Sequence, residues 1–197
     1  MSQIMAIQVI YLAVFAGAHS LLASSPFKRL IWSVFGEKAD HWYMKFFSIF
    51  AAITFAPLVL LILIFPGRKL YVVPLPWRWI MVAVQVLVGI GTLLAFTNAP
   101  HRFSLGQQLR KAEYVEPLRP RGIYRYVRDP FLLTGLVQMW FMPFMTVRLL
   151  VLFILSSIYL SLGSLHWEMR LKAQFGKEYE EYRKKVPRII PGVLNRT

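Results

Sequence analysis

Cysteine is absent from the 197 residues. That excludes disulfides, thiolate metal sites, a cysteine nucleophile and an iron–sulfur cluster held by this chain. Acidic residues are scarce, nine Asp and Glu against 23 Lys and Arg, which leaves a formal net charge of +14. Charge of either sign is thin at 16% of the chain, where a soluble domain carries about 25%. Repeats, low-complexity tracts and flexible linkers are also missing, so residues 1–197 read as a single domain.

What is present is apolar. Hydrophobic residues make up 57% of the chain and the mean hydropathy is +0.51. They come in uninterrupted blocks, which points to membrane spans rather than to amphipathic elements of a soluble core. The fold expected is all-α: a polytopic membrane bundle of about five transmembrane helices with a C-terminal amphipathic helix. In a soluble protein a charge of +14 would suggest nucleic acid. Here the cations lie between apolar blocks, so the expected partner is the lipid bilayer and no nucleic acid.

The first span runs from Ile4 to Ala23 and ends at Ser24-Ser25-Pro26. It has no basic segment before it and is too long for a signal peptide, so it reads as a retained span. His19, near its basic end, either bonds a carbonyl at the interface or faces a polar cavity between helices, where it is a candidate substrate-side residue. Residues 27–41 read as a connector, with an interfacial helix over Leu30-Ile31-Trp32. The second span, Tyr43 to Phe65, contains Pro57, which a helix tolerates as a kink. Pro66 to Trp79 has no helical period and reads as a flat connector. In the third span, Ile80 to Asn98, Gly89 and Gly91 allow close helix packing and Gln85 bonds across helices. Residues 131–167 carry one charge, Arg148, and fit two helices joined near Pro143-Thr146-Arg148. From Glu168 to Tyr182 the chain is charged, with Phe175, Tyr179 and Tyr182 at spacings of four and three. That predicts an amphipathic helix on the membrane face, weakened at Gly176 and ended by Pro187 and Pro191.

With five spans, 19 Lys and Arg fall on one side and four on the other. The asymmetry places the N-terminus outside and the C-terminus in the cytoplasm, in the inner (cytoplasmic) membrane. On that cytoplasmic side lies Arg121-Gly122-Ile123-Tyr124-Arg125-Tyr126-Val127-Arg128-Asp129-Pro130, a loop too polar for hydrocarbon. Its three arginines face anions, Gly122 permits a tight turn, and Pro130 suits the first turn of a helix. His166-Trp167-Glu168 and the aromatic tail end on the same face. Together they suit a soluble cofactor with anionic and planar parts, and an apolar acceptor arriving from the bilayer.

Gly122-x-Tyr124, Arg128-x-Pro130, Glu168, Phe175-Gly176-x-x-Tyr179-x-x-Tyr182 and Val186-Pro187-Arg188-x-Ile190-Pro191 resemble motifs of the isoprenylcysteine carboxyl methyltransferase superfamily. That group includes phospholipid methyltransferases and NnrU-like proteins. Ala18-His19-Ser20, Ser25-Pro26-Phe27-Lys28-Arg29 and Met139-Trp140 through Val147 look closest to the bacterial branch with NnrU and methanethiol S-methyltransferases. The resemblance implies S-adenosylmethionine in a cytoplasmic pocket closed by the C-terminal helix, and methyl transfer to a small thiol or lipid-soluble acceptor. It implies Gly122, Tyr124, Arg128, Asp129, Pro130 and Glu168 as cofactor-binding residues, Arg128 and Glu168 as catalytic, and no metal. Other readings are a haem-binding NnrU-like isomerase, with His19 and His166 as candidate ligands, and a non-catalytic protein that keeps the fold. The chain departs from the pattern at Asp129, where the family has His, at Leu132, where it often has Tyr, and at Trp167-Glu168, where many members have paired glutamates. Asp129 either contacts the cofactor, pairs with Arg128 or caps the next helix.

Overall fold

A computed structural model describes residues 3–98, 105–109, 118 and 120–189, the side chain of Gln107 excepted. Ile190 and Pro191 of the tail motif, and most of the 99–117 segment, lie outside the described residues. The chain is helical, with a small two-stranded sheet of β1 (Lys69–Val72) and β2 (Phe144–Thr146). Among the described residues four helices are long and apolar enough to cross a membrane, as in a polytopic membrane helical bundle. Large apolar side chains such as Ile10, Val14, Ile53, Leu63, Leu87 and Leu93 are exposed along those helices, as lipid contact requires. The backbone groups into two compact units, residues 1–71, 101–110 and 145–152 in one, and residues 72–100, 111–144 and 153–197 in the other.

The first unit holds α1 (Gln3–Ala23), α2 (Ser25–Phe35), α3 (Lys38–Ile64) and α5 (Leu105–Leu109). The expected connector at 27–41 is mostly helix. Ser24 ends α1, yet its hydroxyl accepts the Phe27 N–H at 3.3 Å and Pro26 occupies the first turn, so the same residues that stop one helix start the next. Gly36, at φ +57°, ends α2. Pro57 lies inside α3; one turn earlier the Tyr11 hydroxyl of α1 donates to Thr54 O at 3.0 Å and ties the two helices together. Ala39, Tyr43 and Leu105 form the core, with Phe27, Ile31 and Trp32 packed on it.

The second unit holds α4 (Leu75–Asn98), a 3-10 turn (Gly122–Arg125), α6 (Pro130–Trp140), most of α7 (Val147–Phe175) and α8 (Lys177–Lys185). The expected flat connector before Ile80 is instead β1 followed by the start of α4. Pro76 occupies the first turn of that helix, and Arg78 Nε and Nη2 donate to Val73 O at 3.3 and 3.1 Å. At 11 residues α6 rises on the order of 16 Å, about half the hydrocarbon thickness. A turn and the short strand β2 follow it. Val73 N–H donates to Pro143 O at 2.8 Å, so the strand after α6 is level with the segment that precedes α4. At the opposite end the Tyr124 hydroxyl lies 3.5 Å from Ala95 O.

The second apolar run of 131–167 is longer than expected. With 29 residues, α7 passes through Glu168 to Phe175 without a break. The onset of charge at Glu168 marks where the helix leaves the apolar layer, not where it ends. The break falls at Gly176, at φ +54°, and the predicted amphipathic helix from Glu168 is the end of α7 plus α8.

Candidate functional site: the junction of the basic loop, α7 and the tail

The basic loop is built around one glycine. Gly122 has φ +52°, and a Cβ there would sit 2.4 Å from Asn98 Nδ2. Only glycine gives both the left-handed backbone and the close approach. The 3-10 turn that follows carries Tyr124, whose carbonyl accepts the Tyr182 hydroxyl at 2.6 Å. The chain then straightens through Arg128 and Asp129. Their N–H groups donate to Pro187 O and Arg188 O at 2.9 and 3.1 Å, so the loop is hydrogen-bonded to the segment after α8.

Two sequence-predicted residues meet here directly. Arg128 Nη1 donates to Glu168 Oε1 on α7. The side chains are 10% and 17% exposed, which makes this a mostly desolvated pair. Arg183 of α8 is second in line for the same carboxylate oxygen, with Nε at 3.8 Å. Arg128 Nε is buried with no hydrogen-bond partner among the described residues. A buried guanidinium donor left open is costly, and it marks where an acceptor group would be stabilised.

Asp129 is buried and its Oδ1 accepts the Leu132 N–H at 3.1 Å. Of the readings left open by the sequence, the helix cap is the one this bond makes. Pro130 is buried at the first position of α6. His19 belongs to the first unit, its ring 5.5 Å from Phe15 and 4.6 Å from Phe47. His166 is exposed on α7.

The sequence reading brought the aromatic tail to the site without assigning roles to its individual tyrosines. Tyr179 is 2% exposed; burial first, and then the Glu168 charge, push its phenol up to about 12, while Arg128 pulls the other way. Its phenol therefore lies within the field of both members of the ion pair. Burial, and next the neighbouring Tyr179, push the Tyr182 phenol up as well. The four-and-three spacing of Phe175, Tyr179 and Tyr182 was the available signal. It predicted an amphipathic helix over the membrane face that brings aromatics to the site, and Tyr179 and Tyr182 turn inward to the loop and Glu168.

The fold and this junction define a class: a polytopic helical membrane protein whose second unit gathers a basic loop, the Glu168 carboxylate and inward tyrosines at one end of its helices. The chain is 26% identical to methanethiol S-methyltransferase 2 of Bradyrhizobium diazoefficiens, over 96% of this chain and 74% of that protein. It is 28% identical to methanethiol S-methyltransferase of Crocosphaera subtropica, over 94% and 74%, and 27% identical to methanethiol S-methyltransferase of Mycobacterium tuberculosis, over 96% and 79%. These similarities agree with the isoprenylcysteine carboxyl methyltransferase-like branch that the motifs resemble. No family model and no solved structure matches the chain.

Proposed function

We propose that this protein is an S-adenosylmethionine-dependent methyltransferase of the cytoplasmic membrane, acting at the cytoplasmic face on a small thiol or another lipid-soluble acceptor. The observation that carries the proposal is the Arg128–Glu168 pair with its open Nε, in a chain similar along most of its length to methanethiol S-methyltransferases. The donor set fits the cofactor. The amino-acid end of S-adenosylmethionine carries one carboxylate and one ammonium, and the pair offers one group of each complementary sign. Tyr124, half-buried in the loop, offers flat apolar surface beside it.

When bound, the cofactor supplies an electrophilic methyl group on a sulfonium. The work left to the chain is alignment and exclusion of water. Arg128 and Glu168 hold the polar end. Gly122 contacts through its backbone, because Asn98 fills the space on its Cβ side. Asp129 and Pro130 set the start of α6, and so the direction in which Arg128 leaves the loop.

The test is calorimetric titration of detergent-purified protein with S-adenosylmethionine, followed by methanethiol and lipophilic thiols with a labelled methyl donor. Wild type binds, and Arg128→Ala and Glu168→Ala each weaken binding by at least about tenfold, the loss of one charge-assisted contact. A folded wild type that binds no S-adenosylmethionine overturns the proposal. Unchanged affinity in both variants removes the pair from the site.

A further inference from the structure

The face of α7 that carries Glu168 also carries Ser164 and Ser161, four and seven residues earlier, and so stacked on one side of the helix. Glu168 takes the guanidinium of Arg128. The other two take the guanidinium of Arg188: Nε donates to Ser164 Oγ at 3.1 Å and Nη2 to Ser161 O at 2.8 Å. Ser164 is buried and Arg188 is half-buried. The two arginines are also joined through the backbone, since Asp129 N–H donates to Arg188 O and Arg128 N–H to Pro187 O. The circuit is closed. Arg128 reaches α7 by its side chain and the tail by its backbone, and the tail reaches the same face of α7 by Arg188.

We infer that Arg188 is a positioning residue: its two-point grip on Ser161 and Ser164 fixes the backbone at Arg128 and Asp129, and thereby aims the Arg128 guanidinium at its ligand. This rests on the proposed function only for the identity of that ligand. A guanidinium spans both acceptors with a rigid fork. A lysine ammonium in its place keeps the charge but not the fixed pair of directions, so Arg188→Lys separates grip from charge. Ser164→Ala removes one of the two acceptors with little change in volume. None of these positions touches the site chemistry described above.

The test pairs two readouts on the full chain in detergent. The first is amide hydrogen exchange over the peptide containing residues 124–132, which needs no ligand. The second is the dissociation constant for S-adenosylmethionine. Arg188→Ala and Arg188→Lys are expected to speed exchange at Arg128 and Asp129 by about tenfold and to weaken binding by about the same factor, with Ser164→Ala intermediate. Exchange across α4 stays as in wild type, which shows that the variants fold. Unchanged exchange at Arg128 and Asp129 overturns the inference. So does faster exchange with wild-type affinity, because the grip would then be structural only. If wild type itself binds no S-adenosylmethionine, the functional proposal falls, and the exchange result alone still decides whether Arg188 holds the loop.

Discussion

Glu168 has two jobs that a double substitution separates. Removing it alone leaves Arg128 desolvated without a counter-charge. For a fully buried pair that costs roughly 3–5 kcal/mol, and the residual exposure of these side chains lowers it to about 2–3 kcal/mol. Replacing both residues with leucine removes the unpaired charge as well, so Arg128→Leu with Glu168→Leu should return stability to within about 1 kcal/mol of wild type. Binding of S-adenosylmethionine should not return. Denaturation in mixed micelles and calorimetry check the two halves, and recovery of both would make the pair dispensable. At Gly122 the structure argues a different cost. Gly122→Ala meets both the left-handed backbone and the Asn98 amide, about 2–4 kcal/mol together. Adding Asn98→Ala relieves the contact but not the backbone, so about 1–2 kcal/mol should persist. The need for a turn at Gly122 was legible from its place in the loop. The amide it packs against was not, because Asn98 is 24 positions away and closes α4, with the segment between carrying no period that would bring the two together.

Among the helices, α4 and α6 are fastened by an exchange of amides. Gln85 Nε2 donates to Gln138 O at 2.9 Å, and Gln138 Nε2 donates to Gln85 O at 2.6 Å. Gly89 leaves room for it, its absent Cβ 3.6 Å from Gln138 Nε2. The two bonds are unequal. Gln138 lies in the last turn of α6, where carbonyls have no helical partner, so Gln85 satisfies a group that lipid cannot. Gln85 O lies mid-helix and has one already. Gln85→Leu should therefore cost about 1–2 kcal/mol and Gln138→Leu about half that, within the range of interhelical bonds in membranes. Both acceptors are backbone atoms, so the two losses should add in the double variant, and a strong coupling in a double-mutant cycle would contradict the geometry. The bond and the glycine packing were readable from a glutamine one turn before two glycines in an apolar run. The end of α7 was not readable, because hydropathy reports where a chain leaves the membrane while helix termination is set by backbone, here by Gly176.

For the molecule as a whole, the apolar blocks announced the bundle, but among the described residues four helices are long enough to span, and the remaining apolar run is a half-length helix followed by a strand. Such backbone is tolerated at depth only with its hydrogen bonds met. Pro143 O is met by Val73 N–H in the second unit, and Arg68 O by Val147 N–H at 3.0 Å in the first. If the crossing is complete, the chain passes the membrane an odd number of times, and the basic loop, Glu168 and α8 share a side opposite β1. The charge asymmetry of the sequence predicts that theirs is the cytoplasmic side. The absence of cysteine allows this to be read directly, since any introduced thiol is the only one in the chain. Cysteines placed one at a time at the exposed positions Arg183 and Lys184 of α8 should react with a membrane-impermeant maleimide only after the cells are opened. One at Lys69 of β1, also exposed, should react in intact cells. Labelling of Lys69 and Arg183 together in intact cells would contradict both the odd number of crossings and the side predicted for the basic loop. The site would then face outward, away from the cytoplasmic supply of S-adenosylmethionine that the proposed reaction needs.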